Sequence, residues 1–238
     1  MSNKPLKHSE EKRLTSASRM KQEWAYKRRT VPTVPINPER HLIVTEGIKT
    51  EPLYFEAIRK KVNDRYHGQW VTIEIFGTGD HTVGLLERAI AKAEASASGF
   101  SHVWVVYDKD SFPAEEFNEV ATRCDALDIG GACFHAIWSN ECFELWYALH
   151  FEYLQTPLPR DDYSSKLSGY LGALGKGEYA KNREDMFDIL EPYLASAKRN
   201  AVRLERLNEG KTPAGSAPGT KVHRLVAALE PFFRSNVL

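Results

Sequence analysis

The chain has 238 residues with 42% apolar content, enough for one domain core with an appendage, and its formal net charge is zero. No apolar run approaches the roughly 20 residues of a membrane span, and the polar, basic N-terminus lacks the apolar stretch of a secretory signal. Cys124, Cys133 and Cys142 are odd in number and form no CxxC pair, which excludes a disulfide framework or structural zinc and fits a reducing cytoplasm. Cys124 on a helix's apolar side and Cys133 within a strand are both expected to pack in the core.

The zero net charge hides an asymmetry. Residues 1–35 hold nine Lys/Arg against three acids, leaving the remainder acidic by six charges. Residues 1–38 lack apolar periodicity and end in Val31-Pro-Thr-Val-Pro-Ile-Asn-Pro38, whose prolines favour extended backbone. They read as a basic, loosely ordered arm. Arg28 and Arg29, with Arg13, Arg19, Lys21 and Lys27, suit nucleic-acid phosphate or a solvated tail equally.

Regular patterns begin at His41–Thr45, a short apolar run expected of a strand covered on both faces. Thr50 is expected to cap a helix with Leu53, Ala57, Ile58 and Val62 on its apolar face. Val71, Ile73 and Ile75 alternate as in a strand, and the turn Gly77-Thr-Gly-Asp80 comes next. Leu86, Ile90 and Ala93 mark a second helix, and His102–Tyr107 a second buried strand run. A helix through Phe117, Val120, Ala121, Cys124 and Leu127 leads to a strand over Ala132–Trp138, then an apolar helix over Phe143–Phe151. Beyond residue 152 only helical patterns are expected, at about 163–174, 183–207 and 220–234, with Glu209–Pro218 as a mobile Gly/Pro/Ser loop.

This alternation predicts an α/β fold: a mostly parallel sheet with helices on both faces and a helical C-terminal extension. The boundaries are 1–38 for the arm, 39–152 for the α/β core and 153–238 for the extension. Ligands of such sheets bind at the strand C-termini. There the chain carries Thr45-Glu46-Gly47, Tyr107-Asp108-Lys109-Asp110 and Ser139-Asn140-Glu141-Cys142-Phe143-Glu144. Clustered carboxylates repel unless a cation neutralises them, and a hard divalent ion, Mg²⁺ or Mn²⁺, is the natural resolution. Such an ion suits phosphoryl transfer or phosphodiester hydrolysis. Each motif alone is weak; Glu-Gly after the first strand followed by DxD after the third is more telling.

That order is the Toprim pattern, and three segments resemble the RloB family in particular. They are Leu42-Ile-Val-Thr-Glu-Gly-Ile-Lys-Thr-Glu-Pro-Leu-Tyr-Phe55, Val105-Val-Tyr-Asp-Lys-Asp110 and Ser139-Asn-Glu-Cys-Phe-Glu-Leu-Trp-Tyr-Ala-Leu-His-Phe151. Thr220–Val226 is similar to the family's closing helix. The resemblance implies a Toprim-like (Rossmann-like) fold, with Glu46 as general acid/base and as a metal ligand beside Asp108 and Asp110. Glu144 matches the acid of the SNxCFE string and completes the set. Glu51 matches the acid of TEGxxTE, although a first-turn acid also complements the helix dipole. Glu141 stands where the family commonly has Pro and adds a further carboxylate nearby. No Asn occupies the loop at Ser216–Thr220, where the family tends to have one. The resemblance further implies a component of prokaryotic restriction or anti-phage loci, working beside an AAA/ABC-type ATPase.

Other basic residues remain open. Arg199, Arg203 and Arg206, with Lys198, lie along one helix as a solvated face or a nucleic-acid grip, and Lys176, Lys181 and Arg183 flank a glycine-rich loop. His150 is expected to be structural, and Trp138 and Trp146 to be core. The leading expectation is a metal-dependent nuclease acting on RNA, including tRNA, or DNA. A non-catalytic nucleic-acid sensor or ATPase adaptor is the second, although a pure binder has no need of acids facing a polyanion. A small-molecule phosphohydrolase is third, because aspartate-nucleophile phosphatases place DxD after the first strand.

Overall fold

A computed structural model describes residues 38–110 and 112–234. The arm, with Arg28 and Arg29, lies outside the described residues. The elements in order are β1 (Glu39–Thr45), α1 (Thr50–Tyr66), β2 (Val71–Gly77), α2 (Thr82–Ala95), β3 (His102–Asp108), α3 (Ala114–Ala126), β4 (Asp128–Ile129) and β5 (Ala132–Asn140). They continue as α4 (Glu144–Ala148), α5 (Arg160–Ala173), α6 (Met186–Leu190), a 3₁₀ turn (Glu191–Tyr193), α7 (Leu194–Leu207), β6 (Gly219–Thr220) and α8 (Val222–Phe233).

The six-stranded sheet runs β2-β1-β3-β5-β4, with β6 also on β5. The β1–β2, β1–β3 and β3–β5 pairs are parallel, and the two-residue β4 and β6 pair antiparallel with β5. The sheet is thus mostly parallel, and the fold is α/β. Because β1 has β2 on one side and β3 on the other, the chain reverses its winding between β1 and β3. A crevice opens beyond the strand C-termini at such a reversal.

Pleating sorts the strand residues between two apolar layers. Leu42 and Val44 of β1 and Val103, Val105 and Tyr107 of β3 join Leu85, Leu86, Phe117 and Val120 from α2 and α3. Ile43, Trp104 and Val106 point to the opposite layer, shared with α1 and with Trp146, Leu167, Phe187, Leu204 and Leu225 from the C-terminal helices. Trp138 and Trp146 are buried, as expected.

Several local expectations are corrected. Thr50 begins α1 without capping it; its hydroxyl donates to the Lys181 carbonyl at 3.2 Å. The buried face of α1 is Glu51, Tyr54, Phe55, Ile58 and Val62, one step round from the expected stripe, because the aromatic pair fills the space against α4 and α6. The apolar run after β5 is helical only over Glu144–Ala148. Cys133 is exposed at the start of β5, beside the β4 hairpin, while Cys124 is buried. The stretch 209–218, expected to be mobile, is anchored. Asn140 Nδ2 donates to the carbonyls of Pro213 and Ala214 at 3.3 and 3.0 Å, and Asn118 Oδ1 accepts from the Ala214 N–H at 2.9 Å. Asn208, itself buried, donates to the Pro218 carbonyl at 2.9 Å. These bonds deliver the chain to β6, whose Thr220 hydroxyl meets that of Ser139 at 3.0 Å. Asn208→Ala is expected to lower stability by about 1–2 kcal/mol through the unpaired carbonyl, measured by urea unfolding.

Candidate active site

The ends of β1 and β3 are adjacent, and backbone pairing fixes the loops that leave them. The Glu46 N–H donates to the Val106 carbonyl at 3.0 Å. From the β2–α2 turn, the Thr78 and Gly79 N–H groups donate to the carbonyls of Thr45 and Glu46, both at 3.0 Å. The amides of Thr78 and Gly79 thus clamp the Glu46 loop. Glu46 Oε2 then accepts the Asp108 N–H at 3.2 Å. A Cβ at Gly47 would stand 2.1 Å from Glu51 Oε2, so a side chain there would displace that carboxylate. The missing side chain lets Glu51 fold back from α1 into the site, where its own and Gly47's backbone N–H groups meet it.

Glu46, Glu51, Asp108, Asp110 and Glu144 line one cavity of about 260 Å³, with Arg160, Lys49 and Lys181 among the other lining residues. The structure therefore gathers five of the six predicted acids. Glu141 is the exception: its side chain is not in the lining, and it contributes its carbonyl, which accepts the Asp110 N–H at 3.2 Å. Asp108 Oδ2 accepts the Phe143 N–H at 3.1 Å, while Oδ1 is buried with no hydrogen-bond partner. Asp110 adopts φ 37°, a left-handed conformation that Asp tolerates better than most residues.

Two neighbours were not foreseen. Arg160 places one guanidinium nitrogen 3.2 Å from Asp108 Oδ2 and the other 3.3 Å from Asp110 Oδ2. It is the first residue of α5, where the dipole disfavours a cation. The sequence pattern places the start of this helix at about residue 163, past Arg160, so nothing local marks the arginine. Tyr179 donates its hydroxyl to Glu144 Oε1 at 3.0 Å, from the glycine-rich loop between α5 and α6.

Burial and mutual repulsion disturb Glu46, Glu51 and Asp108. Burial raises the Glu46 pKa, with Asp110 adding to the rise against the Asp108 N–H and Arg160. Glu51 is pushed up to about 7 by burial first and then by Glu144 and Glu46, against its backbone hydrogen bonds. Asp108 is raised well above the usual range by burial, then by Glu51 and Glu144, with Arg160 opposing. Perturbed acids gathered in a cleft are candidates for functional chemistry.

The residues fit a hard divalent cation. Every donor is a carboxylate oxygen, one of them is buried and orphaned, and the three basic residues of the lining, Arg160, Lys49 and Lys181, are fewer than the five acids. Among the described residues, no three His, Cys, Asp or Glu side chains already converge as a chelating set. The acids ring the cavity, and Arg160 stands between two of them.

The predicted basic residues distribute differently. Arg203 stacks on Tyr153 at 3.6 Å, and Arg199 donates to the Ser196 hydroxyl at 3.0 Å. Arg206 lines a separate cavity of about 720 Å³ with Trp138, Lys211 and Lys221, and none of the five site acids reaches it. There Lys221 and Arg224 hold Glu205 down to about 2 against burial, a self-contained ion-pair cluster. Arg183 is occupied by Asp185 and by the carbonyls of Lys176 and Glu178. Lys176 is exposed on that loop and does not line the acid cavity. His150 is buried with Nδ1 on the Trp146 carbonyl at 2.9 Å, and burial lowers its pKa to about 4. Its structural assignment holds.

Fold and site together define an α/β protein with a carboxylate cluster at the crossover point of a mostly parallel sheet. The family model described as RloB-like protein matches residues 41–229, and the chain belongs to the RloB-like family. No curated protein and no solved structure matches it. Among the described residues, no helix is long and apolar enough to cross a membrane.

Proposed function

We propose that this protein is a divalent-cation-dependent nuclease of the Toprim type, acting on RNA or DNA in prokaryotic anti-phage defence. The observation that carries this reading is the convergence of Glu46, Glu51, Asp108, Asp110 and Glu144 on one crevice, beside Arg160, Lys49 and Lys181. Acids alone would repel a polyanion; acids that take up a cation beside basic groups can hold one.

Asp108, Asp110 and Glu144 are the residues that would hold Mg²⁺ or Mn²⁺, with Glu46 at their edge. A bound divalent cation supplies stabilisation of the charge that develops on the phosphoryl oxygens. Glu46 takes the proton from the attacking water; in the cation-free site burial raises its pKa. The Asp108 N–H fixes the orientation of that carboxylate, and Tyr179 does the same for Glu144. Lys49 and Lys181 at the cavity face the incoming backbone phosphates. The family resemblance adds the defence setting and the ATPase partner.

The test is incubation of mixed tRNA, single-stranded RNA and duplex DNA with the protein in Mg²⁺, Mn²⁺ or EDTA. Cleavage confined to the metal-containing reactions is expected, and it identifies the substrate. Absence of cutting together with absence of divalent-cation binding contradicts the proposal and leaves the adaptor reading.

A further inference from the structure

Arg160 is tied to the acids in an unusual way. It spans two carboxylates rather than gripping one, and both contacts, at 3.2 and 3.3 Å, exceed the roughly 2.7–2.9 Å of a strong charge-assisted pair. The pairing is incomplete at both ends: Arg160 Nε and Asp108 Oδ1 are each buried without a partner. The side chain keeps 30% exposure, so it has a route to solvent. At the start of α5, the helix dipole opposes its charge. Burial works against its charge too, and Asp108 and Asp110 hold it charged nonetheless.

We infer that Arg160 is an exchangeable counter-ion. Its guanidinium lies between Asp108 and Asp110, two of the residues that would hold a divalent cation, and cation uptake would displace it. This inference rests on the cation-site reading above. The resident arginine lowers the charge repulsion of the metal-free cluster and so permits it to fold. It also weakens divalent-cation binding, because the ion has to compete with a charge already in place. Displacement frees a planar fork whose donors match phosphate oxygens, at the moment a substrate phosphate needs holding.

Calorimetric titration of Mg²⁺ and Mn²⁺ into wild type, Arg160→Gln and Arg160→Lys, without nucleic acid, tests this. Arg160→Gln is expected to bind about ten-fold or more tightly than wild type, since removal of the competitor leaves the acids uncompensated. Arg160→Lys keeps a charge but not the bridging fork, and is expected to fall between the two. Thermal unfolding provides a second readout: metal-free Arg160→Gln melts below wild type, and saturating Mg²⁺ removes the difference. Equal or weaker binding by both variants, with wild type binding normally, overturns the counter-ion role alone. A wild-type protein that takes up no divalent cation overturns it together with the cation-site reading.

Discussion

Glu46→Gln is expected to lower the rate of nucleic-acid cleavage by about 10²–10⁴, the range set by loss of a positioned general base. The amide keeps the shape of the carboxylate and still accepts the Asp108 N–H, so the local fold is retained. The capacity to accept a proton is lost. Burial raises the Glu46 pKa above its ordinary value of 4.5. In wild type, the rate should fall on acidification as Glu46 takes up a proton, and the residual rate of Glu46→Gln should lack that limb. A pH–rate profile of both proteins under single-turnover conditions checks this. If Glu46 served only to shape the loop, Gln would preserve most of the rate and the profile.

Glu51→Gln is expected to stabilise the metal-free protein, increasingly so as the pH rises. In the folded state Glu51 sits near 7 against an ordinary value of 4.5, because burial and then Glu144 and Glu46 oppose its ionisation. A carboxylate raised in the folded state costs nothing below its unfolded pKa, where it is protonated in both states. The cost grows between about 4.5 and 7 and is complete above that window. The shift corresponds to about 3 kcal/mol at pH 8. Gln carries no charge, so the stability difference between variant and wild type should be near zero at pH 4.5 and greatest above pH 7. Urea unfolding at a series of pH values in EDTA measures it. Saturating Mg²⁺ should narrow the gap, since a bound cation relieves the same repulsion. A difference independent of pH would show that Glu51 is not held against its ionisation.

Together these expectations describe a site in which stability has been traded for chemistry, as strained or repulsive functional clusters commonly require. Asp108 is the clearest instance: a strand residue with one oxygen buried and unpartnered, surrounded by other acids.

The sheet and its acid edge were legible because buried parallel strands leave short apolar runs, and the residues just after such a run land on the C-terminal edge. Glu46, Asp108 and Asp110 are found by that logic alone. Glu51 was undervalued for a physical reason: a first-turn acid is already explained by the helix dipole, and only Gly47's missing side chain reveals that Glu51 folds back into the site. Arg160 and Tyr179 come from segments far along the chain and carry no local periodicity that points to β3 or α4. Spacing on α7 showed that Arg199, Arg203 and Arg206 share a face, yet not where that face looks. Ala197, Ala201 and Leu204 bury the opposite side, and Arg206 comes to rest on the separate cavity. The strands β4 and β6, with two residues each, are too short to leave an alternation.

The most direct test of the central claim is calorimetric titration of Mg²⁺ into wild-type protein and Asp108→Asn. Asn still accepts the Phe143 N–H and presents a neutral amide in place of the unpaired oxygen, so the fold is expected to persist, as circular dichroism would verify. Saturable binding by wild type and its loss in Asp108→Asn is the predicted result. Equal binding by the two proteins would contradict the placement of the divalent cation at this edge of the sheet.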